Sequence, residues 1–178
     1  YDEYAKRHGM MMKTLLVVHH TLTGGSAQMA QAAVRGARAD ADIAAQVTVR
    51  SLRAHEAGPD DVLAADGYLF VTPENLAAIA GLMKDFFDRC YYPVLGRIEG
   101  RPYAALICAG SDGSNAQRQL ERICTGWRLK QAAPTRIVCT HAQTVEQILA
   151  PKTIAPAELA ACEELGAALA AGLALGVF

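Results

Sequence analysis

The residues able to do chemistry gather in four short stretches, each directly after an apolar run. They read His19-His20-Thr21-Leu22-Thr23-Gly24-Gly25-Ser26-Ala27, Thr72-Pro73-Glu74-Asn75, Gly110-Ser111-Asp112-Gly113-Ser114-Asn115 and His141-Ala142-Gln143-Thr144. The first is the most telling. A glycine-rich turn between a strand and a helix aims several backbone N–H groups at one point, and the helix dipole adds partial positive charge there. Thr21, Thr23 and Ser26 add hydroxyl donors to the same turn. Such a nest suits a phosphate and needs no cation, and no lysine or arginine follows the turn until Arg35. The lysine of G-x-x-x-x-G-K-[ST] and the third glycine of G-x-G-x-x-G are both missing, which excludes the two common nucleotide loops. The bland reading of the same residues is a capped helix start with Ser26 as N-cap.

Taken singly, the other stretches say less. Pro73 stiffens a turn that Glu74 or Asn75 can lead into a helix, and residues 110–115 offer flexible backbone at a strand end. His19 and His20 make a poor metal pair, because neighbouring strand residues point to opposite faces. His20 is expected to face the first loop, and His141 to be solvated. Cys108 lies in an apolar run and is expected to serve packing, Asp66 a structural role, and Arg50 and Arg53 the solvated surface.

What must position these loops is legible from periodicity. Five apolar runs, at residues 14–18, 45–49, 67–71, 103–109 and 136–140, suit strands buried on both faces, as in a parallel sheet covered by helices. Helical stripes separate them: Met29, Ala30, Ala33, Val34 and Ala37; Leu76, Ile79, Leu82, Met83 and Phe86; Ala116, Leu120, Ile123, Cys124 and Trp127; and Leu159, Cys162, Leu165, Leu169 and Leu173. The second crossover is weaker, with Gly58-Pro59 breaking it and Asp60 or Asp61 able to cap a short helix. Pro156 sits where the last helix starts. The alternation predicts an α/β doubly wound parallel sheet, with one domain over residues 10–178 and a leader or tail at residues 1–9. In such folds ligands bind beyond the carboxyl ends of the strands, where the four stretches lie.

Composition narrows the partners. Of 178 residues, 17 are Lys or Arg and 18 are Asp or Glu, a formal charge of −1 that gives nucleic acid no basic face to bind. Five cysteines, widely spaced and odd in number, fit a reducing cytoplasm better than a disulfide framework. The apolar run at residues 165–178 is shorter than the ~20 residues of a membrane span, so no membrane insertion is expected.

These residues carry a resemblance. Thr21-Leu22-Thr23-Gly24-Gly25-Ser26 is similar to the T-x-T-G-x-[ST] phosphate loop of flavodoxin-like proteins. The segment DGYLFVTPENLAAIAGLMKDFFDR (residues 66–89) resembles their second flavin-contacting loop and helix. It is closest to the flavodoxin-like NAD(P)H-dependent FMN reductases and quinone reductases. ALICAGSDGSNAQRQLERICTGW (residues 105–127) stands where the third loop belongs. The resemblance spans residues 13–141 in the family's order.

It implies a five-stranded sheet in the order 2-1-3-4-5 with FMN bound non-covalently. Thr21, Thr23, Gly24, Gly25 and Ser26 would hold the phosphate, with Leu22 contributing backbone and His20 beside them. Thr72, Pro73, Glu74, Asn75 and Leu76 would lie along the ring system and its N5 edge. Ala109, Gly110, Ser111, Asp112 and Gly113 would approach the pyrimidine edge. Electron-carrier flavodoxins usually stack aromatic rings on the flavin and are acidic; neither holds here. An open flavin face suits NADPH or NADH as donor and a quinone, free flavin or other small molecule as acceptor. No side-chain acid or base is required, since the flavin carries the chemistry. An electron carrier docking on redox proteins is the alternative, and a module that has lost FMN is a third. Apolar surface left open around a flavin favours a homodimer or larger homo-oligomer. A receiver domain shares the topology but needs acids after the first strand and an aspartate ending the third; His19-His20-Thr21 and Thr72-Pro73 exclude it.

Overall fold

In chain order, the computed structural model places β1 (Lys13–His19), α1 (Gly25–Ala39), α2 (Ala41–Ala44), β2 (Val47–Arg53), α3 (Pro59–Ala64), β3 (Gly67–Asn75) and β4 (Ala78–Ile79). There follow α4 (Gly81–Val94), β5 (Pro102–Ala109), α5 (Ser114–Gly126), β6 (Lys130–Gln131), β7 (Arg136–Cys139), α6 (Val145–Leu149) and α7 (Pro156–Leu175). It describes residues 12–178, so the leader expected at residues 1–9 lies outside the described residues.

Five strands form the parallel sheet, side by side as β2-β1-β3-β5-β7. Counted among the long strands this is 2-1-3-4-5, the expected order. The short β6 and β7 share one edge of β5, pairing with Pro102-Tyr103 and with Leu106 through Ala109 respectively. Between them, residues 132–135 hold two more residues than the matching stretch of β5. Pro134, with no N–H to give the ladder, sits in that break.

Alternate residues of the strands enter two different cores. On one face Leu16, Val18, Tyr68, Phe70, Ala105 and Ile107 pack under α3, α4 and α5. This side is aromatic: Phe87 sits edge-on to Phe70 at 5.0 Å and to Trp127 at 5.2 Å. Each fully buried Phe contributes about 1.5–3 kcal/mol. On the other face Leu15, Val17, Leu69, Val71, Leu106 and Cys108 pack under α1 and α7. Here the side chains are small. A Cβ on Gly36 would run into the Glu163 carbonyl, and one on Gly166 into the Ala33 carbonyl. The two helices therefore touch backbone to backbone, and α1 is held fast toward its carboxyl end.

Two expectations need correction. The stripe beginning at Leu76 predicts a helix directly after Asn75, but β3 runs on to Asn75 and folds back through Leu76 and Ala77. In the returning β4, Ala78 pairs with Asn75 and Ile79 with Glu74, and the helix begins only at Gly81. The stripe holds from Met83, which is buried, whereas Leu76 is fully exposed. Thr72 sets the delay, for its buried hydroxyl accepts the Ala80 N–H at 3.2 Å. Secondly, β2 extends to Arg53, as an edge strand with alternating exposure. Elsewhere the reading matches: α3 starts at Pro59 with Asp61 accepting the Gly58 N–H at 2.9 Å, α7 starts at Pro156, and Asp66 accepts the Thr14 N–H at 2.9 Å. Arg50 pairs with Asp61 at 2.7 Å. All five cysteines are free.

Candidate functional site

A cleft opens at the carboxyl ends of β1, β3 and β5. Its first wall is residues 21–26. Thr21 Oγ1 accepts the Gly24 N–H at 3.0 Å and closes the turn. Gly24 then takes φ +96°, a left-handed conformation that glycine adopts without strain, and α1 begins at Gly25. The opening N–H groups of a helix have no partner within it, and no acid stands in the first turn of α1 to compete for them. Ser26 sharpens the picture. It is buried, it lines the cleft, and its hydroxyl has no hydrogen-bond partner. Beneath the turn lies Cys108: a Cβ on Gly25 would meet its Sγ at 2.6 Å. Burial pushes the Cys108 thiol up to about 11, opposed in part by the charge of Lys152, so it is protonated at neutral pH.

The second and third walls are joined to each other. Glu74 Oε2 accepts the Gly113 N–H at 2.7 Å, Asn115 donates to the Ala77 carbonyl at 2.6 Å, and Gln119 accepts the Ile79 N–H at 2.9 Å. Gly113, like Gly24, enters its helix at a positive φ, +82°. At the hairpin tip Leu76 and Ala77 have φ of +49° and +63°, unusual for residues with side chains.

The fourth wall comes from the far end of the chain. After β7, Thr144 and Gln147 cap α6 reciprocally: the Thr144 hydroxyl accepts the Gln147 N–H, and the Gln147 side chain accepts the Thr144 N–H. The chain then crosses above the first loop. The Lys152 N–H donates to the Thr23 carbonyl at 2.9 Å. Gln28 grips the same segment twice, donating to the Lys152 carbonyl at 2.7 Å and accepting the Ile154 N–H at 3.0 Å.

Of the residues named from sequence, Thr21, Leu22, Thr23, Gly25, Ser26, Pro73, Glu74, Asn75, Ala109 and Gly110 line the cleft. Seven stand outside its lining. Gly24 and Thr72 shape it from behind, Gly113 gives its amide to Glu74, and Asp112 accepts from the Ser114 hydroxyl at 2.8 Å; Ser111 and the outward-pointing Leu76 are exposed. His20 is partly buried, and burial together with the charge of His55 lowers its pKa. Sequence reasoning missed Cys108, Ile148 and Lys152 as cleft residues, along with Thr140, and named Ala142 only as part of the fourth stretch. Only one had a local signal nearby, the Thr144…Gln147 capping box ahead of α6. Among the described residues no group of acids, histidines and cysteines could hold a metal, and no helix is long and apolar enough to cross a membrane.

Residues 15–143 match the family described as NADPH-dependent FMN reductase. The chain belongs to this family. Curated relatives include a flavodoxin of Aquifex aeolicus, 33% identical over 102 residues (57% of this chain, 53% of that protein). Another is an NAD(P)H dehydrogenase (quinone) of Acidithiobacillus ferrooxidans, 35% identical over 96 residues (44% and 47%). The chain thus spans about half the length of the curated relatives it matches. Among solved structures, a flavodoxin from the domain Archaea superposes with a TM-score of 0.68 at 18% identity, over 90% of this chain and 98% of that one; at that identity the likeness concerns the flavodoxin-like fold. The family's residue span takes in the first three walls of the cleft and ends before α6.

Proposed function

We propose that the cleft binds FMN and that the protein passes electrons from NADPH or NADH through it to a quinone, a free flavin or another small acceptor. The observation that carries this reading is the buried, partnerless Ser26 hydroxyl at the mouth of α1. A buried hydroxyl without a partner costs about 1–3 kcal/mol, and a phosphate is the group for which this loop supplies N–H donors, a helix dipole and a close backbone approach at Gly25. Thr21, Thr23, Gly24, Gly25 and Ser26 would hold the phosphate. Pro73, Glu74 and Asn75 on one side and Ala109 and Gly110 on the other would flank the ring. Bound flavin supplies hydride acceptance and release, chemistry that no side chain of the cleft provides. The protein's share is to hold the ring between the two joined loops and leave one face open. No aromatic side chain lines the cleft, which favours a stacking nicotinamide over the covered flavin of an electron carrier.

Ser26→Ala tests the placement. It should weaken FMN by roughly 10- to 150-fold, the equivalent of one hydrogen bond to a charged group at about 1.5–3 kcal/mol. The flavin-free protein should keep or gain stability. Unchanged FMN affinity would refute it. Mixing the FMN-loaded protein with NADPH in a stopped-flow instrument separates the two classes: rapid bleaching marks a reductase, and bleaching only with an added reductase marks the carrier. We carry the homo-oligomer as part of this proposal, since Leu22 and Leu76 stand exposed beside the cleft; light scattering reads it directly.

A further inference from the structure

The first loop lacks a cation in its own sequence, yet the fold brings one beside it. The main chain of Lys152 is pinned against the loop. Its N–H donates to the Thr23 carbonyl at 2.9 Å, and its carbonyl accepts from the Gln28 side chain at 2.7 Å. Its Cβ lies 3.5 Å from where a Cβ on Gly25 would stand, and the residue lines the cleft. Its charge is also felt beneath the turn, where it opposes the upward push of burial on the Cys108 thiol. The ammonium, however, is spent elsewhere. It carries three donors, and they go to the carbonyls of Gln147, Ile148 and Ala150 at the carboxyl end of α6, at 2.6–2.8 Å. α6 has little else to hold it. It is five residues long, too short to persist by itself, and none of the five is buried. Val145, Ile148 and Leu149 all stand exposed. What keeps it helical is the Thr144–Gln147 capping box at one end and the Lys152 ammonium at the other.

We infer that Lys152 is a phosphate ligand held in reserve: a phosphate in the nest draws its ammonium off α6, and the helix loosens as the phosphate is gripped. The inference rests on the proposal that the first loop takes a flavin phosphate, for which the buried, partnerless Ser26 hydroxyl speaks independently of Lys152. Two sites compete for one cation. A phosphate offers it a full opposite charge, whereas the α6 carbonyls offer only dipoles. Two of the three carbonyl bonds are exposed, so water can replace the ammonium there. With its main chain pinned, the residue makes the exchange by side-chain rotation alone, on a flexible four-carbon stem. Phosphate binding and α6 order then oppose each other, and such coupling is reciprocal. Whatever weakens α6 must strengthen the hold on phosphate.

The test joins hydrogen exchange to titration of the flavin-free full chain with FMN and riboflavin. Exchange is read at the Ile148 and Ala150 amides, which donate to the Thr144 and Glu146 carbonyls. Saturating FMN should speed both by roughly fivefold or more, a local opening of α6 alone. Saturating riboflavin, the same ring without a phosphate, should leave them as they were. Lys152→Met keeps the stem and removes the charge. It should weaken FMN by roughly tenfold or more, the loss of a hydrogen bond between charged groups, and riboflavin by less than about twofold. Thr144→Ala removes the cap at the other end of α6. It should tighten FMN by roughly two- to fivefold, because α6 then competes less for the ammonium, and leave riboflavin unchanged. A segment that only walls the cleft would make Thr144→Ala bind FMN equally or more weakly, and that result overturns the inference. So does FMN that leaves the Ile148 and Ala150 amides as slow as before, or slows them. Should Lys152→Met not fold, the exchange and the Thr144→Ala affinity decide alone. If the unmodified protein binds no FMN, the flavin reading of the cleft itself fails and the role of Lys152 falls with it.

Discussion

Gly25→Ala should destabilise this protein, and the same substitution made in a Cys108→Ala background should stabilise it. Two opposing effects set the sign. Gly25 does not need a positive φ, so an alanine there restricts the unfolded chain without strain and stabilises by about 0.4–1 kcal/mol. Against this, the new Cβ would stand 2.6 Å from Cys108 Sγ, and overpacking a fixed core costs about 1–3 kcal/mol. Cys108 is 8% exposed at the carboxyl end of β5, packed under α1 and α7, so its sulfur has little room to turn away. The net expectation is a loss of about 0.5–2 kcal/mol, or roughly 1–8 °C in Tm for a domain of this size. Once the sulfur is removed, the nearest atoms are Ile154 Cδ1 and Lys152 Cβ at 3.5 Å, an ordinary contact, and only the favourable effect is left. Cys108→Ala alone forfeits about 1 kcal/mol of apolar burial, about one methylene's worth. The coupling between the two sites is then about 1–3 kcal/mol, at the upper end of what touching residues show. Urea unfolding of the flavin-free protein, followed through the single, buried Trp127, measures all four corners of the cycle. If Gly25→Ala shifts the midpoint equally in both backgrounds, the close approach of loop and sheet is not what this structure describes.

Gly36→Ala and Gly166→Ala should each lower Tm by roughly 4–10 °C, since each drives a methyl into the backbone of the facing helix at a cost of about 2 kcal/mol or more; Gly126→Ala, with nothing within 4 Å, is the control and should lose nothing in the same thermal melt. Burial, reinforced by Arg53 for His19 and by His55 for His20, holds both histidines below their usual 6.5. The unfolded chain therefore binds their protons first, and stability is full above pH 6.5 and falls as the pH drops below it. Urea midpoints between pH 8 and 5 should show that slope and a shallower one in His19→Gln. At the hairpin tip, Leu76→Asn with Ala77→Gly installs the residues that a turn with two positive φ values prefers. Relief of about 1–2 kcal/mol at each position exceeds the 0.5–1 kcal/mol entropic cost of the glycine. The pair should raise the urea midpoint, and a lowered midpoint would mean the tip is not left-handed.

Much of this architecture was legible because the strands are buried on both faces. Runs such as Leu15 through Val18 and Ala104 through Ala109 have no other easy reading, and the glycine-rich turns after them fall at one edge of the sheet by topology alone. The hairpin at residues 74–79 was not legible. Leu76 and Ala77 are poor turn residues, and the apolar spacing of Leu76, Ile79 and Met83 imitates a helix whose first turn is absent. What distinguishes the two is the Thr72 hydroxyl reaching Ala80, a contact no local pattern announces. Lys152 was invisible for a different reason. Its partner Gln28 lies 124 positions away, and a lone lysine after a proline, in a stretch with no helical or strand period, looks like any surface residue. Hence the nest read as free of cations, whereas the fold brings one to its edge.

The order in which the walls leave the ribosome has a consequence of its own. The nest, the hairpin and the third loop are all complete by about residue 115, but the crossing segment that Gln28 clasps is not made until Ile154, and α7, which fixes α1 through Gly36 and Gly166, comes later still. Late contacts between distant segments are the slow ones to form. A nascent chain halted before residue 150 would carry every residue of the first three walls and still lack the clasp. On the proposed flavin reading, loading would wait until residues 152–154 have been made: a chain that includes them can trap a flavin, and a shorter one should release it. Released chains ending at successive positions between residues 143 and 175, probed for FMN fluorescence quenching, would show that step.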